Sequence, residues 1–72
     1  MLIYDENAIR KLRNELSLSL ESFAKKTGEG TTRQLVSQWE RGLQMPNLNS
    51  LLRIVNNFQV PVNYFFKENG GT

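Results

Sequence analysis

Two arginines, two glutamines and a serine (Arg33, Gln34, Ser37, Gln38 and Arg41) fall on one side of a helical wheel drawn at about 100° per residue. Leu35, Val36 and Trp39 fall on the other side, and Glu40 lies at its edge. No acid shares the polar side. These side-chain types suit base edges and phosphates: a guanidinium grips guanine O6 and N7 through two hydrogen bonds, and a carboxamide does the same with adenine N6 and N7. Any surface helix also has a polar face, although one that merely meets water usually mixes Glu with Lys. The wheel alone leaves both readings open.

The missing residue types narrow the chemistry further. Without histidine, the commonest general base and metal ligand is absent; without cysteine there is neither a thiolate zinc site nor a disulfide. The seven acids (Asp5, Glu6, Glu15, Glu21, Glu29, Glu40 and Glu68) show no pairing that suggests a carboxylate active site. The expectation is a chain that is not an enzyme, with no catalytic residue, no metal and no small-molecule cofactor. Its 72 residues, 39% apolar and 22% charged, suit one small soluble domain. A net charge of +2 is weak support for a nucleic-acid partner, because the distribution of charge matters more than its sum. No run of about 18 apolar residues is present, and Met1 to Glu6 lack the basic and apolar regions of a signal peptide. The cytoplasm is therefore the expected location, with no membrane partner.

Helix-sized blocks must position these side chains. In the first, Ile9, Leu12 and Leu16 share a face, and Asp5 or Asn7 could cap its start. The second opens at Ser19, an N-cap type, with Leu18 and Phe23 spaced as a hydrophobic staple, and ends at Gly28. The third begins at Thr31 or Thr32; Thr31 with Gln34 fits a capping box, and Gly42 stands where a C-terminal glycine belongs. The fourth follows an N-cap at Asn47, with Leu48, Leu51, Leu52, Val55 and Phe58 at helix spacing. A last short helix is expected at Val62 to Phe66, after Pro61. Strand readings compete only at Leu2-Ile3-Tyr4 and Val60-Pro61-Val62. The fold class is then all-α, a compact bundle of about five short helices: one domain over residues 1–67 and a flexible tail over 68–72.

Arg13 falls within the arc set by Ile9, Leu12 and Leu16, so its position faces the core. A buried guanidinium without a partner costs several kcal/mol. Glu40, the acid nearest an apolar face elsewhere, is the candidate partner. Alternatively, Arg13 snorkels outward over a buried stem.

The segments Leu18-Ser19-Leu20-Glu21-Ser22-Phe23-Ala24 and Arg33-Gln34-Leu35-Val36-Ser37-Gln38-Trp39-Glu40-Arg41-Gly42, with Pro46, Leu51-Leu52 and Val60-Pro61-Val62-Asn63-Tyr64-Phe65-Phe66, together resemble the Cro/phage-repressor (Xre-like) helix-turn-helix family. The resemblance covers residues 8 to 66. It implies a bundle of four or five helices whose third helix enters the DNA major groove. By position it implies that Thr32, Arg33, Gln34 and Gln38 read bases and that Ser37 and Arg41 lie close to the groove walls. Gln44 in the following loop, and Asn47 and Asn49 at the start of the fourth helix, would hold phosphates. It also favours the Arg13–Glu40 pair. The implied function is a sequence-specific DNA-binding transcriptional regulator, a repressor, whose partner is double-stranded DNA.

Two positions depart from the family pattern. The second helix usually starts with Gln, which braces against a phosphate; here Leu20 stands there. Either that contact is lost or Leu20 packs elsewhere, against a thymine methyl or a partner surface. The turn between the second and third helices also carries about two extra residues, Glu29-Gly30. A domain this small reads few base pairs, so a homodimer on paired half-sites is expected. Tyr64 and Phe65 are the interface candidates, while Val62 and Phe66 are assigned to the monomer core. The competing reading is a protein-interaction module on the same scaffold, of antitoxin or anti-repressor type.

Overall fold

A computed structural model describes residues 1–69. The chain runs β1 (Leu2–Tyr4), α1 (Ala8–Glu15), α2 (Leu20–Thr27), α3 (Arg33–Glu40), α4 (Leu48–Phe58), a 3₁₀ turn (Val62–Phe65) and β2 (Phe66–Glu68). The expected all-α bundle of five helices is thus corrected twice. Its fifth helix is a 3₁₀ turn, and the chain ends form an antiparallel two-stranded sheet in which Leu2, Ile3 and Tyr4 face Glu68, Lys67 and Phe66. Leu2-Ile3-Tyr4 takes its strand reading. Val60-Pro61-Val62 does not, because Pro61 instead caps the 3₁₀ turn. The Met1 ammonium bonds the Glu68 carboxylate, and the Asn69 N–H donates to the Met1 carbonyl at 2.7 Å. Glu68 and Asn69, expected in a loose tail over 68–72, are therefore paired; residues 70–72 lie outside the described residues.

The helix boundaries follow from local hydrogen bonding. Ser19 Oγ accepts the Ser22 N–H at 3.0 Å and opens α2, which stops at Gly28 with φ +130°. Thr32 Oγ1 accepts the Leu35 N–H at 3.1 Å, so α3 is capped by Thr32 and not by a Thr31–Gln34 box. It closes in a Schellman turn: Gly42, at φ +74°, donates to the Trp39 carbonyl at 3.3 Å, and Leu43 donates to that of Gln38 at 3.0 Å. Asn47 Oδ1 accepts the Ser50 N–H at 2.8 Å and opens α4. Asn7 precedes α1 without a side-chain cap, and Asp5 Oδ1 accepts its N–H at 3.0 Å. At the far end of α1, Ser17 adopts φ +56°, and the Ser17 and Leu18 amides return to the carbonyls of Asn14 and Arg13. Leu16 consequently lies beyond the helix and is 44% exposed, outside the buried face expected for it.

One apolar cluster joins the elements. Ala8, Ile9 and Leu12 of α1 meet Phe23 and Ala24 of α2, Val36 and Trp39 of α3, Leu51 and Ile54 of α4, and Phe65. The Phe23 and Phe58 rings stack with centroids 4.5 Å apart, joining α2 to α4. Only part of the apolar stripe on α4 is used: Leu51 is buried, while Leu48 and Leu52 lie on its exposed flank at 68% and 44%.

The C-terminal aromatic segment reverses the expectation. Phe65 is fully buried, and Val62 is 48% exposed. The 3₁₀ turn advances about three residues per turn, and the chain then extends into β2. Phe65 is thereby driven inward, where its carbonyl accepts the Asp5 N–H at 2.7 Å, and Val62 stays outside. Tyr64 is half-buried and donates its hydroxyl to Glu15 at 2.8 Å; Phe66 is half-buried, edge-on to Tyr4. Phe65 is therefore a core residue, not an interface residue. Among the described residues no helix is long and apolar enough to cross a membrane.

Candidate nucleic-acid interface

The α3 helix carries one acid, Glu40, and the fold turns it inward. Its side chain is 4% exposed and receives Arg13 twice, Nε on Oε2 at 2.6 Å and Nη2 on Oε1 at 3.0 Å. Arg13 Nη1 donates to the Leu18 carbonyl at 3.0 Å, so this guanidinium also holds the segment leading into α2. The Glu40 hydrogen bond raises the Arg13 pKa against the opposing effect of burial. The expected Arg13–Glu40 pair is present, and snorkelling is not what Arg13 does. Arg10 also leans on Glu40, with Nε 3.4 Å from Oε1.

With Glu40 withdrawn and Val36 and Trp39 buried, α3 presents Arg33, Gln34, Gln38 and its C-cap residue Arg41 as exposed side chains, with Ser37 half-buried between them. These five residues and Leu20 line one shallow cleft. Arg33, Ser37 and Arg41 follow one another at intervals of four, as do Gln34 and Gln38, so the cleft floor is two short ridges of one helix. A second hollow continues past Arg33 along α2, lined by Ser19, Leu20, Glu21, Ser22 and Lys25. Lys25 is 3.9 Å from Glu21 in an exposed pair, which offsets little of its charge.

The other site candidates do not line this cleft. Thr32 is exposed at the helix start with its hydroxyl committed to the cap. Gln44, Asn47 and Asn49 are exposed in the following loop and the first turn of α4. Asn47 Oδ1 is used by its own cap. Ser19, Glu21 and Ser22 share this surface with Arg33, and the one mark of it in the sequence is the Ser19 cap, which fixes where α2 starts.

The extended turn rests against α4. Arg53 Nη1 donates to the Glu29 carbonyl at 2.7 Å, and Asn57 Nδ2 donates to those of Lys26 and Thr27 at 3.0 and 2.9 Å. Gly30 takes φ +85° in this turn, a conformation suited to glycine. The turn through Glu29 and Gly30 is thereby held against α4, with α2 and α3 packed together. Among the described residues no cluster of His, Cys, Asp or Glu could hold a metal ion.

An exposed, acid-free face of Arg, Gln and Ser, on a short helix clamped by a neighbouring one, can donate to guanine edges, bond adenine edges and neutralise phosphates. A family model described as Helix-turn-helix matches residues 9–65. No curated protein and no solved structure matches the chain.

Proposed function

Because the chain belongs to the Cro/phage-repressor (Xre-like) helix-turn-helix family, whose members are DNA-binding regulators, we propose that it is a sequence-specific transcriptional repressor acting in the cytoplasm on double-stranded DNA. The observation that carries the reading is the composition of the outer α3 face: two guanidiniums and two carboxamides exposed, and the helix's acid turned inward onto Arg13. Thr32, Arg33, Gln34 and Gln38 contact base edges, Ser37 and Arg41 approach the groove walls, and Gln44, Asn47 and Asn49 hold the phosphate backbone. Phosphate contacts set the register of the helix on the duplex, and base contacts set the sequence. Two copies act together on paired half-sites about one DNA turn apart, since one recognition helix spans only a few base pairs.

A protein-binding module would more often carry apolar side chains on this face, and the cleft holds one, Leu20, among five polar residues. Selection of bound duplexes from a random pool tests the proposal. Enrichment of a defined sequence, repeated in two half-sites, is the expected result; no enrichment over the starting pool would overturn it.

A further inference from the structure

Leu20 is the one apolar side chain in a cleft otherwise built from Arg33, Gln34, Ser37, Gln38 and Arg41. It is the first residue of α2, directly after the Ser19 cap, and helical side chains lean toward the start of their helix. The lean brings it to the mouth of the groove between α2 and α3, where it lines both hollows at this surface. It is half-buried, with one side against the core cluster and the other open to the cleft. Ser37, lining the same cleft, is small and half-buried, flanked by Arg33 one turn earlier and Arg41 one turn later. The result is a notch with one greasy wall and two cationic shoulders.

In the major groove only one natural base carries an apolar group, the C5-methyl of thymine; cytosine gains the same group when methylated. The Arg33 and Arg41 shoulders favour phosphates and guanine, so an apolar wall between them would gain nothing from a polar edge and loses water that a methyl can displace. We infer that Leu20 makes the interface sensitive to the pyrimidine C5-methyl group, so that the domain distinguishes thymine from a methyl-free base at one position beside the Arg33 contact. The inference rests on the DNA-reading role of α3 and adds a specificity residue contributed by α2.

The test uses the duplex enriched by selection and replaces each thymine in turn by deoxyuridine, which removes the methyl and keeps every hydrogen-bonding group. Burial of one methyl predicts an affinity loss of about fourfold at one thymine position. Cytosine placed there should bind about fourfold more tightly once methylated at C5. In Leu20→Gln and Leu20→Ala, both differences should disappear while binding to the duplex as a whole persists, and thermal unfolding by circular dichroism establishes that each variant is folded. If the intact protein binds every deoxyuridine duplex as it binds thymine, the inference fails, and it fails without any variant. It also fails if folded Leu20→Ala retains the methyl preference. A pool that enriches no sequence would instead overturn the DNA reading itself, a result distinguishable from either of these.

Discussion

Glu40 lies in the fork of Arg13, with Nε 2.6 Å from Oε2 and Nη2 3.0 Å from Oε1, and this contact joins the third helix to the first. The same contact removes the only acid of α3 from the surface that faces the cleft. One ion pair thus serves packing and surface charge together.

Deleting Glu40 leaves the Arg13 guanidinium largely out of water without its carboxylate, and deleting Arg13 leaves the buried Glu40 carboxylate only the longer Arg10 contact. Arg13→Ala and Glu40→Ala are each expected to cost about 3 kcal/mol, the low end for a broken buried pair because the Arg13 side chain keeps 19% of its exposure. Urea denaturation measures both. The double variant should be markedly less destabilised than the sum, the mark of a shared interaction.

The two tyrosines give the fold an alkaline limit. Desolvation holds both Tyr4 and Tyr64 at about 12, with the charges of Asp5 and Glu6 adding at Tyr4 and the Glu15 hydrogen bond adding at Tyr64. The folded state therefore keeps its phenolic protons after the unfolded chain begins to lose them near 10.0. Their contribution is complete below that value and is lost as pH rises toward about 12. Tyrosinate absorbance against pH should show late titration in the folded protein and an earlier one in denaturant.

Tyr4 has a second consequence. Its hydroxyl is buried with no hydrogen-bond partner among the described residues. Tyr4→Phe removes an unsatisfied group and should stabilise the protein by about 1 kcal/mol in thermal unfolding. Loss of stability would mean that the hydroxyl is satisfied in solution.

Ser17 holds a left-handed conformation, φ +56°, at the end of α1, where glycine is at ease and serine is not. Ser17→Gly should raise stability by about 0.5–1 kcal/mol, the relief of strain less the larger chain entropy of glycine. A lower melting temperature would contradict this account of the turn.

Much of this was legible in the sequence, and the failures have a common cause. The Ser19 and Asn47 caps, Gly28, Gly42 and the inward position of Arg13 are local or single-helix properties, readable from spacing. What spacing could not supply was the arrangement of elements around one another. Leu48 and Leu52 sit at helix spacing with Leu51, yet whether they are covered depends on where neighbouring elements end. The pairing of Phe66–Glu68 with Leu2–Tyr4 joins the two ends of the chain and leaves no mark in either segment alone. Val62 and Phe65 exchanged roles because the 3₁₀ turn and the strand after it changed the period. At the candidate site, the polar face of α3 was visible on a wheel, whereas the apolar wall formed by Leu20 required the packing of α2 on α3.

The most direct measurement compares the intact protein with Arg33→Ala and Lys25→Ala on a selected duplex and on random duplexes, at two salt concentrations. If α3 reads bases through its outer face, Arg33→Ala weakens specific binding by about 1–3 kcal/mol and relaxes sequence preference. Lys25→Ala, in the hollow that continues past Arg33 along α2, then weakens binding to all sequences alike and reduces the salt slope by about one. Equal losses on the selected and the random DNA for Arg33→Ala would contradict the account.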